Sequence, residues 1–66
     1  MKMYTCEKPF KTTYFNNGKV ERIEIQEGSD WFLDRKETQD RVVLSNNEIE
    51  LVVAKGVLKD RFRQWG

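Results

Sequence analysis

The amino-acid sequence predicts a mostly β protein with a short C-terminal helix, and three observations support this fold class. Apolar and polar residues alternate along most of the chain, which is the period of a strand that buries one face. Clusters of Asn, Gly, Ser and Asp interrupt the alternation and leave segments of about 5–8 residues, the length of strands in small barrels and sandwiches. The C-terminal segment changes to helical spacing. We therefore expect five or six antiparallel strands in a small SH3-like barrel, with the helix packed against it.

The first two predicted strands lie on either side of the single proline. Residues 3–6 form a short edge strand that ends before Pro9, because proline has no N–H to donate to a neighbouring strand. Residues 10–15 are rich in threonine and aromatic side chains, which favour strands. Asn17-Gly18 then predicts a tight hairpin turn, since both residues tolerate the positive φ that such turns require.

The third predicted strand, residues 19–26, carries Ile23 and Ile25 on the face that we expect to be buried. Val20 is out of phase with these two residues, because side chains of a strand alternate between its two faces. An extra residue in a strand shifts the phase of everything beyond it. We therefore expect a β-bulge near Glu21.

Three more strands are predicted after Gly28, and the turn Asn46-Asn47 joins the last two of them as a hairpin. Their inward side chains continue the alternating pattern. The predicted core consists of the apolar residues on the inward face of the strands and of the helix: Ile23, Ile25, Trp31, Leu33, Val42, Leu44, Ile49, Leu51, Val53, Leu58 and Phe62.

The predicted C-terminal helix covers about residues 56–65 and carries an apolar stripe of Leu58, Phe62 and Trp65. A helix of about three turns is too short to persist alone, so this stripe must dock on the sheet or across an open barrel end. Ala54 precedes the helix where serine, threonine, aspartate or asparagine would cap the first turn. We therefore expect the helix to begin without a side-chain cap.

Length and composition limit the class of protein. The chain has 66 residues, which is enough for one domain (1–66) with a small core. The formal net charge of +1 gives no overall field toward nucleic acid or an anionic membrane. No segment has the pattern of a signal peptide or the roughly 20 apolar residues of a membrane span. The lone Cys6 cannot form an intramolecular disulfide, which fits a soluble protein of the reducing cytoplasm.

Catalytic residues, metal sites and cofactors are not expected. The chain has no histidine, which is the usual general base and the commonest metal ligand. The charges of Glu7 and Lys8 beside Cys6 roughly cancel, so nothing nearby activates its thiol, and the carboxylate pair Glu48 and Glu50 lies on an outward, solvated face. Zinc, calcium-loop, phosphate-loop and dinucleotide signatures are absent. A barrel of this size also leaves no room for a deep ligand pocket, so we expect no enzyme.

The aromatic content favours a protein-binding module. Two Trp, two Tyr and four Phe exceed what so small a core can fully cover. Exposed aromatic side chains next to arginine are typical of interface hot spots, although the same rings could cover the barrel ends instead. Homodimerisation through this surface or through an unpaired edge strand is a related hypothesis. The candidate protein-binding residues are Phe10, Tyr14, Phe15, Phe32 and Trp65.

The competing hypothesis is a nucleic-acid-binding barrel that uses a basic C-terminal face. Lys55, Lys59 and Arg63 are spaced by four and share one face of the predicted helix, and Arg61 lies between them. Contacts from these four cations to phosphates would give salt-dependent, weakly specific binding. The acidic middle of the chain argues against this hypothesis, and cations in a last helical turn also complement the helix dipole.

The order of features from about Val20 onward resembles small proteins encoded by phages and prophages of low-GC Gram-positive bacteria. Those proteins share a Gly-Ser/Thr-x-Trp turn and a terminal Leu-x-x-x-Phe, which here correspond to Gly28-Ser29-Asp30-Trp31 and Leu58-Lys59-Asp60-Arg61-Phe62. The resemblance implies a phage or mobile-element origin and transfers no catalytic residue. The functional hypothesis rests on the absence of catalytic chemistry, the compact scaffold, the surplus aromatics and the mixed charge. It is a protein that binds a host or phage protein in the host cytoplasm, in host takeover, anti-defence or phage assembly.

Overall fold

The chain folds into seven strands and one helix, as described by a computed structural model over residues 2–16 and 18–65, with Phe15 and Asn16 described by their backbone alone. The elements are β1 (Met3–Cys6), β2 (Phe10–Asn16), β3 (Lys19–Ile25), β4 (Asp30–Lys36), β5 (Arg41–Ser45), β6 (Glu50–Ala54), α1 (Lys55–Arg61) and β7 (Phe62–Trp65). The prediction of a mostly β protein with a short helix near the C-terminus is confirmed. The predicted count of five or six strands is wrong, because the chain returns to the sheet after the helix.

All the strands belong to one sheet in the order β3-β2-β6-β5-β4-β1-β7. Every pair of neighbouring strands is antiparallel, and β3 and β7 are the two edge strands. The sheet curls so that distant strands meet on one side. There the ring of Phe10 in β2 packs edge-to-face against Phe62 in β7, with 5.7 Å between the ring centroids. We call this side the inner face and the opposite side the outer face.

The core lies on the inner face and confirms the predicted set. Eight of the eleven predicted core residues are buried, and Ile23, Leu33 and Ile49 are partly buried against them. Leu44 and Leu51 lie opposite each other on β5 and β6, and both have no solvent exposure. The prediction that residues 3–6 form an edge strand is wrong, because β1 lies between β4 and β7. Tyr4 of β1 is therefore buried as well.

The C-terminal helix is shorter than predicted, since it ends at Arg61. Phe62 has extended backbone angles, φ −124° and ψ 152°, and the chain continues as β7 beside β1. Pairing with a free strand edge satisfies backbone groups that the frayed end of a short helix would leave to solvent. Phe62 still reaches the core from its position in β7, but Trp65 is 41% exposed. The predicted helical stripe that included Trp65 is therefore wrong.

Both predicted hairpin turns are present. β2 and β3 are joined through Gly18, whose φ of 78° fits a tight two-residue turn, while Asn17 lies outside the described residues. Between β5 and β6, Asn47 has a φ of 77°. The side-chain oxygen of Asn46 accepts hydrogen bonds of 3.0 Å each from the backbone N–H groups of Glu48 and Ile49. This is the local bonding by which asparagine favours turns.

The bulge predicted near Glu21 is wrong. β2 and β3 pair one to one along their whole described length. Val20 is out of phase with Ile23 and Ile25 because it lies on the opposite face of the strand, where it is 61% exposed. The irregularity lies instead between β4 and β5, where the register shifts between Leu33 and Arg35.

The Gly-Ser-x-Trp motif has a structural role in the turn before β4. Gly28 has a φ of 88°, and its N–H donates to the carbonyl of Cys6 at 2.8 Å. The hydroxyl of Ser29 donates to the carbonyl of Gln26 at 2.7 Å and accepts from the indole N–H of Trp31 at 3.0 Å. One serine thus closes the turn and satisfies the polar atom of a buried tryptophan.

Replacement of Ser29 by alanine (Ser29→Ala) should lower the free energy of unfolding by about 1–2 kcal/mol, because the indole N–H of Trp31 loses its partner. Ser29→Thr retains a hydroxyl and should cost clearly less. Urea unfolding followed by tryptophan fluorescence measures both variants. Equal losses for the two variants would contradict the role assigned to the hydroxyl.

Candidate binding groove

A groove of about 400 Å³ opens on the inner face beside α1. Its floor is apolar, and four of the chain's seven lysines lie around it. We call it the lysine groove. The residues that line it are Lys2, Tyr4, Leu33, Lys36, Val42, Lys55, Leu58, Lys59, Phe62 and Gln64. A deep ligand pocket is not expected for a protein of this size, and the cavity that the fold forms is an open groove.

Lys36 reaches the groove because of the bulge in β4. Leu33 and Arg35 lie opposite consecutive residues of β5, so Asp34 is the extra residue of the bulge. In strict alternation Arg35 would follow Leu33 onto the inner face. The bulge instead places Lys36 on that face, opposite the buried Val42. A local irregularity of the strand therefore puts a cation at the edge of the core.

The other three lysines come from α1 and from the residue before β1. Lys55 and Lys59 are four positions apart in α1, so they project from one side of the helix. Leu58 is buried and fixes the helix against the sheet, whereas Ala54 provides no side-chain cap. The carbonyl of Lys2 accepts a hydrogen bond of 2.9 Å from the backbone N–H of Leu33. This bond fixes Lys2 beside the groove.

The floor of the groove offers aliphatic rather than aromatic surface. Tyr4 and Phe62 line it, but they are only 7% and 6% exposed, so their ring faces are covered by the core. The Tyr4 hydroxyl lies 3.5 Å from the side-chain oxygen of Gln64, to which it donates. Leu33 is the floor residue that remains partly exposed. The apolar surface that a ligand meets is therefore mainly the side chain of Leu33.

The four lysines give the groove an uncompensated positive charge. No Asp or Glu is among its lining residues. The five ion pairs of the described residues involve none of these lysines. Like charges four apart on a helix, such as Lys55 and Lys59, cost about 0.2–0.5 kcal/mol. The arrangement thus opposes folding slightly, which favours a binding role over a stabilising one.

The four candidate nucleic-acid-binding cations do not form one surface. The two lysines of α1 line the lysine groove. Arg61 lies over the ring of Phe10, with 5.6 Å from the guanidinium carbon to the ring centroid. Arg63 lies in β7, where its side chain is 3.6 Å from the carboxylate of Glu7. The shared helical face expected for the lysines and Arg63 does not form, because the helix ends before Arg63.

The candidate protein-binding aromatics are also distributed over the molecule. Phe10 and Tyr14 are half-buried and pack against the core. The Tyr14 hydroxyl donates to a carboxylate oxygen of Glu21 at 2.7 Å. The side chain of Phe15 lies outside the described residues.

Two of the aromatic candidates do share a surface, the outer face. Met3 lies opposite Phe32 of β4 and opposite Trp65 of β7, so these three residues form an apolar row across the sheet. Phe32 is half-buried and lies on the face opposite the core. The indole N–H of Trp65 donates to the hydroxyl of Thr5 at 2.6 Å. The outer row is distinct from the lysine groove.

Cys6 is buried, with 1% exposure, and its thiol donates to the carbonyl of Lys8 at 3.3 Å. Burial raises the pKa of the Cys6 thiol above its ordinary value. The thiol is therefore protonated at neutral pH, and a protonated, buried thiol is a poor nucleophile.

Alkylation of Cys6 should be on the order of a hundredfold slower in the folded protein than in urea, because the reagent must wait for the structure to open. Mass spectrometry of the alkylated protein measures the two alkylation rates. Equal rates with and without urea would contradict the assigned burial.

The raised pKa of the Cys6 thiol also sets the direction of a pH effect on stability. As pH rises through the ordinary thiol pKa, the thiol of the unfolded chain loses its proton first, so the free energy of unfolding should fall.

Of the four groove lysines, Lys55 and Lys59 are among the candidate binding residues named from the sequence, and Lys36 was not singled out. Lys2 and Lys36 are far apart in the chain and meet only through the pairing of β1 with β4. The one available signal was the charged run Asp34-Arg35-Lys36, which interrupts the alternation after Leu33.

Within residues 2–16 and 18–65, no group of three or more His, Cys, Asp or Glu side chains could hold a metal ion. No helix of the same ranges is long and apolar enough to cross a membrane. Comparison of the chain with protein-family models, with curated proteins and with solved structures finds no match.

Proposed function

We propose that this chain is a non-enzymatic protein-binding module of a phage or mobile element, which acts in the host cytoplasm and modulates or inhibits a host protein. The observation that carries the proposal is the lysine groove: an apolar floor surrounded by four lysines that have no ion-pair partner among the described residues. The phage origin rests on the sequence resemblance alone.

A mixed apolar and charged surface is suited to protein recognition. Burial of an apolar side chain supplies affinity, and complementary charge supplies association rate and specificity. The groove is built on strands and on a helix that is fixed by the buried Leu58. Binding to such a preformed site avoids the cost of ordering a flexible surface.

Nucleic-acid binding is the second candidate, and one observation favours it. The predicted residues Lys55 and Lys59 form no ion pair with another described residue, and Lys2 and Lys36 line the same groove. Against it, Arg61 and Arg63 are engaged with neighbouring side chains, and the chain carries a net charge of only +1.

Affinity capture separates the two candidates. The tagged protein is incubated with a lysate of a low-GC Gram-positive host, with and without nuclease, and the recovered proteins are quantified by mass spectrometry. We expect one host protein that survives nuclease and is lost from the charge-reversal variant Lys36→Glu/Lys59→Glu.

The matched control is Lys11→Glu/Lys19→Glu, which changes the net charge by the same amount at exposed lysines outside the lysine groove. It should retain the host protein. Recovery of nucleic acid alone, with proteins that disappear on nuclease treatment, would replace the proposal by the nucleic-acid-binding candidate. Recovery of no host protein, together with the mass of a dimer for the purified protein by size-exclusion chromatography with light scattering, would replace it by homodimerisation.

We also propose that the curled sheet is a small SH3-like barrel. The contact between Phe10 and Phe62 supports this, because it joins the second strand of the sheet order to the edge strand β7 at the other end. The N–H of Glu7 donates to the carbonyl of Arg61 at 2.8 Å, which ties the β1–β2 connection to the end of α1. A nuclear Overhauser effect between the rings of Phe10 and Phe62 in solution would support a curled sheet; its absence would contradict it.

A further inference from the structure

We propose that the lysine groove binds an acidic segment of its partner protein, whose carboxylates contact the lysines while one bulky apolar side chain enters the groove. This inference rests on the proposed protein-binding function and adds the chemistry of the partner. It follows from the juxtaposition of four unpaired cations with an aliphatic floor in a cavity of about 400 Å³.

The positive charge of the lysine groove selects the sign of the partner. Three elements of the fold contribute to it: Lys2 precedes β1, Lys36 ends β4, and Lys55 and Lys59 lie in α1. The cations therefore come from three separate parts of the fold instead of from one run of the chain. A segment with carboxylates on both sides of a central residue can contact several of them at once.

The floor selects the central residue of the segment. Leu33 is partly exposed there, and the buried Val42 and Leu58 also line the groove. Apolar side chains lining a concave site favour an apolar anchor, since its burial removes surface from water on both sides. A purely acidic segment leaves this surface exposed, so the anchor should contribute to affinity as much as the carboxylates do.

The same floor argues against a nucleic acid as the occupant. Single-stranded nucleic acids gain most of their non-ionic affinity when bases stack on the faces of aromatic rings. Tyr4 and Phe62 are 7% and 6% exposed, so neither presents a free ring face in the groove. Phosphates could still contact the lysines, but the bases would have no platform.

The test is an amide chemical-shift titration of the isotope-labelled protein with synthetic peptides. The probe peptide has one central leucine or tryptophan flanked on both sides by aspartate and glutamate. We expect the amides of Leu33, Lys36 and Lys59 to shift, and added salt to weaken the binding. Replacement of the central residue of the peptide by serine should weaken binding about tenfold, as should the protein variant Lys36→Glu/Lys59→Glu.

Two controls accompany the titration. The variant Lys11→Glu/Lys19→Glu should bind the probe peptide with nearly unchanged affinity, because both lysines lie outside the groove. Thermal unfolding of each variant shows that it is folded. A peptide in which lysine replaces every acidic residue should leave the groove amides unshifted.

The other outcomes separate the failure of this inference from the failure of the proposed function. Shifts confined to the outer row of Met3, Phe32 and Trp65 would overturn the inference and leave protein binding in place. A mixed-sequence single-stranded oligonucleotide that shifts the groove amides at lower concentration than the peptide would overturn both. The absence of any shift of the groove amides at the highest peptide concentration of the titration would overturn the inference.

Discussion

Replacement of Leu51 by aspartate (Leu51→Asp) is expected to unfold the protein. Leu51 has no solvent exposure and lies opposite the equally buried Leu44. Loss of the leucine side chain costs about 2–5 kcal/mol, and burial of a carboxyl group without a partner adds to this cost. A chain of this length is stable by about 3–10 kcal/mol, so the sum removes most or all of its stability. The same reasoning applies to Ile25→Asp, at a residue that is 1% exposed.

Circular dichroism during heating measures this prediction, because an unfolded variant shows no cooperative transition. Val20→Asp is the matched control: it also places aspartate at an apolar strand position, but Val20 is 61% exposed on the edge strand β3. It should change the free energy of unfolding by less than about 0.5 kcal/mol. If Leu51→Asp retained a transition close to that of the parent, the core assignment would be wrong.

Replacement of Trp31 by alanine (Trp31→Ala) is expected to have the second-largest effect. Trp31 is 4% exposed in the core, and its indole N–H donates to the hydroxyl of Ser29 at 3.0 Å. Removal of a buried tryptophan leaves a cavity and costs about 3–5 kcal/mol. The hydroxyl also loses its donor. Urea unfolding followed by circular dichroism should place the midpoint far below that of the parent.

Trp65→Ala removes the same side chain from a position that is 41% exposed on the outer row. The indole donates one hydrogen bond of 2.6 Å to Thr5 and is partly covered, so the expected loss of stability is about 1–2 kcal/mol, clearly less than for Trp31→Ala. The contrast between the two tryptophans tests the assignment of inner and outer faces. Equal destabilisation by the two substitutions would contradict it.

The buried face could be predicted because its signal is local. Ile23 and Ile25, like Leu51 and Val53, are two positions apart, and only one face of a strand can hold both members of such a pair. Asn46-Asn47 and Gly18 identified hairpins because positive φ restricts the residue types that a tight turn accepts. These features depend on neighbours in the chain, and each was correct.

The end of the helix could not be predicted from local spacing. Phe62 is buried whether residues 62–65 continue the helix or form a strand, so the apolar pattern fits both conformations. Residues 62–65 form a strand because they pair with the free edge of β1, which lies at the other end of the chain. Pairing over such a separation leaves no periodic signal in either segment.

The binding groove was only half visible for a related reason. Lys55 and Lys59 stand out by their spacing, but Lys36 reaches the inner face only because Asp34 is the extra residue of a bulge. A one-residue change of register exchanges the two faces of a strand, and charged residues such as Arg35 and Lys36 carry no apolar pattern that would reveal it. The site therefore depends on a strand register that the local residue pattern does not reveal.

Contact between the lysine groove and a partner protein can be measured by site-specific photo-crosslinking. A photoreactive residue replaces Lys36 in one variant and Lys11, outside the groove, in the other. Both are irradiated in nuclease-treated host lysate. We predict one discrete crosslinked host protein from the Lys36 variant and none from the Lys11 variant. Crosslinking of that protein from position 11 alone, or crosslinking from position 36 only to nucleic acid when nuclease is omitted, would contradict this contact.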